Sequence, residues 1–162
     1  MGPSGALMSS ILADAAAKAG ESYYHLVVLV GPHGSGKTRL LQAAAAETGW
    51  PLINLGLELA KSLVDIPPAR RSAAAAEFTA KLLTQRSGVV VVDNIEVLFE
   101  PSLKLQPLEL LKQASRSATL VVAWPGASES GALVYATPGY REHRSRDATG
   151  VSVLPIQSIV SH

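Results

Sequence analysis

Leu26-Val27-Val28-Leu29-Val30-Gly31-Pro32-His33-Gly34-Ser35-Gly36-Lys37-Thr38 decides how the rest of the chain is read. The apolar run Leu26–Val30 has no polar interruption, which suits a strand covered on both faces, as in a parallel sheet. The residues from Gly31 to Thr38 then follow G-x-x-x-x-G-K-[ST] in full. Each residue type serves one piece of chemistry. Glycines let the backbone turn tightly and point amide hydrogens inward, making a nest for anionic phosphate oxygens. The helix expected to follow aims its positive end at the same place. Lys37 can reach the β- and γ-phosphates of a nucleotide, and the Thr38 hydroxyl can ligate Mg2+. Gly31, Pro32, His33, Gly34, Ser35, Gly36, Lys37, Thr38 and Arg39 are therefore the expected cofactor-binding set. His33, at a variable position of the motif, reads as solvent-facing. No Asn/Thr-Lys-x-Asp guanine motif occurs, which favours ATP as the nucleotide.

A second apolar run, Val89–Val92, ends in Asp93. A buried strand would deliver that carboxylate beside the phosphate loop, where it holds Mg2+ together with Thr38. The bland alternative is an Asp that caps a helix. Asp93 comes 56 positions after Lys37, which leaves room for a further strand and its helices.

Working outward, Ser9 and Ser10 are positioned to cap a short helix that runs to Ala19 and stops at Gly20. Tyr24–Val30 reads as the first strand and Thr38–Thr48 as a helix closed by Gly49. Pro51–Leu55 reads as a strand and Leu57–Val64 as a short helix broken by Pro67-Pro68. A helix from about Ala69 to Gln85 can begin on Pro68, and one over Leu108–Ser115 on Pro107. Thr119–Trp124 is a strand closed by Pro125-Gly126. Gly131–Thr137 reads as a hairpin or short strand, Pro138–Gly150 as an arginine-rich loop, and Val151–Leu154 as the last strand. This alternation predicts an α/β three-layer sandwich with a mostly parallel sheet of about five strands. Ligands of such sheets sit at the carboxyl ends of the strands, where both motifs fall.

Composition limits the alternatives. The chain has 162 residues, the size of one domain. Residues 1–7 read as a tag remnant and 8–162 as a single phosphate-loop domain. Hydrophobic residues are 48% and net charge is +1, which excludes a disordered chain. Charged residues are only 17%, against about 25% in an average domain; 24 alanines fill much of the gap. A near-neutral chain is not built as an extended nucleic-acid surface. The absence of cysteine excludes disulfides, thiol catalysis and cysteine-ligated zinc, and suits a reducing cytoplasm. Apolar runs such as Leu26–Val30 are far too short to span a membrane, and no signal-peptide pattern is present.

In its motif spacing the chain resembles the additional-strand class of P-loop ATPases, which includes AAA+ and RecA-like proteins and inserts a strand between the two motif strands. Against that resemblance there are departures. AAA+ proteins usually carry a glutamate directly after the aspartate, to polarise the attacking water, and here that position is Asn94. Glu96 is a candidate for the missing catalytic base, with capping or pairing as its other reading, and Glu58 is a second candidate. Thr119–Trp124 occupies the sensor-strand position without an obvious polar sensor. Arg141, Arg144 and Arg146 stand where AAA+ proteins present an arginine finger to a neighbour's nucleotide, or else form a solvated basic loop; Arg116 is a further candidate. A finger requires head-to-tail assembly, hence a homo-oligomer formed on ATP binding. No helical lid is expected after the last strand, which implies weaker nucleotide retention or a completing partner.

From Tyr24 to about Arg144 the sequence also resembles the BrxF family, small P-loop proteins of one subtype of BREX bacteriophage-defence systems. The resembling stretches are Tyr24–Thr38, Asn54-Leu55-Gly56-Leu57-Glu58-Leu59, Asp93-Asn94-Ile95-Glu96-Val97-Leu98-Phe99, Leu120-Val121-Val122-Ala123-Trp124-Pro125-Gly126 and Tyr135-Ala136-Thr137-Pro138-Gly139. The resemblance implies a bacterial cytoplasmic protein acting beside defence components that include a methyltransferase, a large ATPase and a helicase. The expected function is thus an ATP-binding, slowly hydrolysing module whose nucleotide state controls assembly. Two other classes stay open: a small-molecule P-loop kinase with Arg141–Arg146 as its lid, and a loader-type ATPase that meets DNA indirectly through Arg70, Arg71, Lys81 and Arg86 in a ring. Arg70 and Arg71 otherwise read as an exposed helix face.

Overall fold

The computed structural model describes residues 5–32, 34–85, 87–129, 132–135, 146–147 and 150–157. Five strands form a parallel sheet: β1 (Leu26–Val30), β2 (Leu52–Asn54), β3 (Val89–Asp93), β4 (Thr119–Trp124) and β8 (Ser152–Pro155). Their order is β2-β3-β4-β1-β8. The two motif strands β1 and β3 are therefore not neighbours, and β4 lies between them in parallel register with both. This inserted strand is the mark of the additional-strand class, and the three-layer α/β fold read from the sequence holds.

The sheet's central strands explain the layers. All of β1 is buried, but alternate residues face opposite ways. Leu26, Val28 and Val30 join a core with Leu55 and Leu59 of α3 (Leu55–Leu63), Leu83 of α4 (Pro68–Thr84) and Leu111 of α5 (Pro107–Ala114). Val27 and Leu29 join a second core with Leu12 and Ala16 of α1 (Gly5–Ala19) and Leu40, Leu41 and Ala44 of α2 (Lys37–Thr48). Helices thus cover both faces, which is why these strands read as unbroken apolar runs. Pro68 and Pro107 open α4 and α5 as read, since a proline at the first helical position gives up an amide that has no partner anyway. Gly49 closes α2 in the left-handed region, with φ of 80° and its N–H bonded to Ala45.

Two expectations need correction. The first helix begins at Gly5, so Ser9 and Ser10 are interior rather than caps. Ala6, Leu7 and Met8 favour helix and extend it upstream of the serines. The segment read as the arginine-rich loop contains a strand, β7 (Arg146–Asp147), paired antiparallel with β6 (Ala132–Tyr135). With β5 (Gly126–Glu129), these make a small antiparallel sheet β5-β6-β7 that leaves the main sheet directly after β4. Strands this short pair through the backbone and leave no period of their own in the sequence.

Among the described residues, no helix of lid size follows β8, and no helix is long and apolar enough to cross a membrane.

Candidate nucleotide-binding site

β1 ends at Val30 and α2 begins at Lys37, so the loop between them lies at the carboxyl edge of the sheet, against the amino end of a helix. Each motif glycine has its own reason. Gly34 and Gly36 hold φ of 79° and 99°, a region that strains residues with a Cβ. Gly31 has no such dihedral but has no room either. A Cβ there would lie 2.5 Å from Ile156 Cγ2 and 2.7 Å from Ser35 Oγ. The last strand thus presses Ile156, 2% exposed, onto the first residue of the loop. Ser35 donates its backbone N–H to the Pro32 carbonyl at 3.1 Å, tightening the turn.

Lys37 folds back across this turn. Its Nζ donates to the Gly31 carbonyl and, at 3.4 Å, to the Pro32 carbonyl. Burial pushes its pKa below the ordinary lysine value, while the carboxylates of Glu96 and then Asp93 pull it back up. Lys37, Glu96 and Asp93 are therefore one electrostatic group, although strand β4 separates β1 from β3. Thr38 and Arg39, in the first turn of α2, are exposed.

Asp93 is the last residue of β3, and Glu96 opens the 3-10 turn Glu96–Phe99 just beyond it. Glu58 stands apart. It lies on α3 and lines a cleft of about 240 Å³ along the outer edge of β2, with Leu52, Asn54 and Gln85. Where a polar sensor would sit at the end of β4, Trp124 is 1% exposed and packs edge-on against Phe99, centroids 5.1 Å apart.

Of the arginines, Arg116 lies at the opposite pole, before the amino end of β4, with its guanidinium 4.6 Å from the Tyr23 ring. Arg71 Nε donates to the Ile66 carbonyl at 2.8 Å, and Lys81 pairs with Glu77 at 3.5 Å. Arg146 lies in β7. His33, Arg86, Arg141 and Arg144 fall outside the described residues.

Sequence reading missed a cluster behind Asp93. Asn94 follows in the left-handed region with φ of 58°. Its backbone N–H donates to Asp93 Oδ1 at 2.8 Å, and its side-chain Nδ2 donates to Asn54 Oδ1 at 2.9 Å. Its carbonyl accepts from Gly56 N–H at 2.9 Å. The available signal was Asn54 itself, a preferred cap residue between a strand and a helix. It shifts the start of α3 from the expected Leu57 to Leu55.

A nucleotide and its Mg2+ fit this donor set. Ser35 Oγ is buried in the loop with no hydrogen-bond partner, and a buried hydroxyl without a partner costs free energy that an anionic oxygen would recover. Among the described residues, the Lys37 ammonium is hydrogen-bonded to neutral carbonyls of its own loop. Among the described residues, no three His, Asp or Glu side chains gather into a metal site.

A sequence profile described as "ATPase family associated with various cellular activities (AAA)" matches residues 27–137. The match runs from β1 through β6, well over half of the chain. No curated protein matches it. With the phosphate loop, the second acidic strand and the inserted β4 in place, the chain belongs to the AAA family of ATPases.

Proposed function

We propose that this protein is an ATP-binding, slowly hydrolysing AAA+-like module whose nucleotide state controls its self-assembly or partner contacts, acting in the cytoplasm within a bacterial BREX phage-defence system. The observation that carries the nucleotide reading is the loop itself. Three glycines are each required by geometry, and one lysine shares an electrostatic group with two acids. The inserted strand β4 favours this reading over a small-molecule kinase. The BREX assignment rests on the resemblance of Tyr24–Arg144 to BrxF proteins.

The backbone N–H groups of the loop, with the amino end of α2, bind the phosphates; Pro32 contributes none. Lys37 exchanges its two loop carbonyls for phosphate oxygens. Thr38 and Asp93 hold the Mg2+, which when bound screens charge between the phosphates. Glu96 accepts a proton from the attacking water. An arginine among Arg141, Arg144 and Arg146 of a neighbouring copy meets the charge that develops on the phosphoryl group. Asn94 cannot act as a base, and Trp124 offers no polar reader of the terminal phosphate, so hydrolysis by the isolated protein is slow.

Light scattering of the wild type and Lys37→Ala, with and without ATP and Mg2+, tests this. Wild type alone should grow into a larger species. Lys37→Ala should lose roughly 100-fold in ATP affinity, about 2.7 kcal/mol, and keep its nucleotide-free mass. An unchanged wild-type mass at high protein concentration overturns the assembly reading, and equal ATP affinity in the two proteins overturns the site.

A further inference from the structure

Asp93 is held from behind by residues that belong to neither motif. The chain turns sharply after β3 because Asn94 adopts φ of 58°, a left-handed conformation that few residues other than glycine take and to which asparagine is among the best suited. That turn brings the Asn94 N–H onto Asp93 Oδ1 at 2.8 Å. One carboxylate oxygen is thereby tied to the backbone.

The support for the turn comes from the neighbouring strand. Asn54 pairs with Asp93 in the ladder. Its Oδ1 accepts two bonds at once, from Leu57 N–H at 3.1 Å and from Asn94 Nδ2 at 2.9 Å. The first caps α3 and the second anchors the Asn94 amide. Gly56 closes the arrangement. Its N–H bonds the Asn94 carbonyl at 2.9 Å, and a Cβ on it would lie 2.8 Å from Asn94 Cγ. The glycine is required by close approach, since its own backbone is not in the left-handed region.

We propose that Asn54, Gly56 and Asn94 form a clamp that holds the Asp93 carboxylate in position for the cation of a bound Mg2+–nucleotide, and so sets the Mg2+ requirement of nucleotide binding. The proposal rests on the nucleotide reading above. All three are positioning residues: they act through Asp93. Outer partners of metal-binding groups commonly matter this way, because they fix the orientation of the ligand that touches the metal.

The test is binding of a fluorescent ATP analogue to the full chain, titrated with Mg2+ and repeated in EDTA. Asn94→Gly removes the side-chain amide while allowing the same backbone turn. Asn54→Ser keeps a capping oxygen for Leu57 but draws the acceptor away from Asn94. Gly56→Ala displaces the Asn94 amide. Each should raise the half-saturating Mg2+ concentration roughly tenfold, leave the affinity in EDTA within about twofold of wild type, and keep the native circular dichroism. Asp93→Asn supplies the reference for a lost carboxylate. If Asp93→Asn shifts the Mg2+ midpoint while Asn94→Gly and Asn54→Ser leave it in place, the clamp is overturned and the nucleotide reading stands. A parallel loss of affinity with and without Mg2+ also overturns it, since that is what a general disturbance of the fold would give. If the wild type binds the analogue under neither condition, the nucleotide reading fails and the clamp's role with it.

Discussion

The carboxyl ends of β1 and β4 lie side by side, Val30 in register with Trp124, yet they are built of opposite materials. β1 opens into glycines, an inward amine and a buried hydroxyl without a partner. β4 ends in a sealed indole that rests edge-on against Phe99. One strand end grips, and its neighbour is a firm apolar wall. At this edge of the sheet the acids Asp93 and Glu96 stand at the end of β3, one strand further away. The comparison breaks most visibly if the wall is not a wall. Trp124→Ala should cost about 3–5 kcal/mol by opening a cavity, lowering the thermal midpoint by on the order of 10 °C. Trp124→Phe should lose well under half of that. A midpoint for Trp124→Ala within a few degrees of wild type would show that β4 does not brace the loop beside it.

The gripping end can be tested from behind as well. Gly31→Ala drives a methyl group into Ile156 Cγ2, an overpacking that should cost about 1–3 kcal/mol. Because the two side chains share one space, Ile156→Ala should return part of that loss, so the double variant is more stable than the sum of the singles. Strict additivity in denaturant unfolding would mean that Ile156 does not press on the loop, and that β8 contributes little to its shape.

The phosphate loop was plain in the sequence and the strand order was not, for a physical reason. The phosphate loop needs particular residue types at fixed spacing, and its strand is buried on both faces, so both the motif and the unbroken run Leu26–Val30 show. Pro68 and Pro107 mark helix starts because only their ring geometry allows that one position. By contrast, strand order leaves no trace in any single strand: β1, β3 and β4 are equally apolar, and only packing places β4 between the other two. β5, β6 and β7 are too short for a period. The turn at Asn94 depends on Asn54, forty positions earlier, so no local window contains it. Lys37 stands out in the sequence through the motif, but its fold back onto Gly31 and its shared field with Glu96 exist only in three dimensions.

That field gives the smallest effect, and the one that separates the two strand ends most finely. Burial holds the Lys37 pKa below its ordinary value of 10.5 in the folded protein, while the unfolded chain keeps the ordinary value. Between the lowered value and the ordinary one, the unfolded state binds more protons than the folded state, so stability rises with pH through that window. Below the window the cost of the buried charge is fully present. Nucleotide affinity runs the other way. Phosphate favours the ammonium, so ATP binding weakens as pH climbs through the same window, by no more than a factor of ten per pH unit for one proton. Unfolding of the wild type and Lys37→Ala from pH 7 to 10.5 isolates the first trend as a difference between the two proteins, free of other titrating groups. The wild type should gain on the variant as pH rises while its ATP affinity falls. A pH-independent difference would mean that the amine is as well solvated as any surface lysine, and the grip of β1 would then rest on its backbone alone.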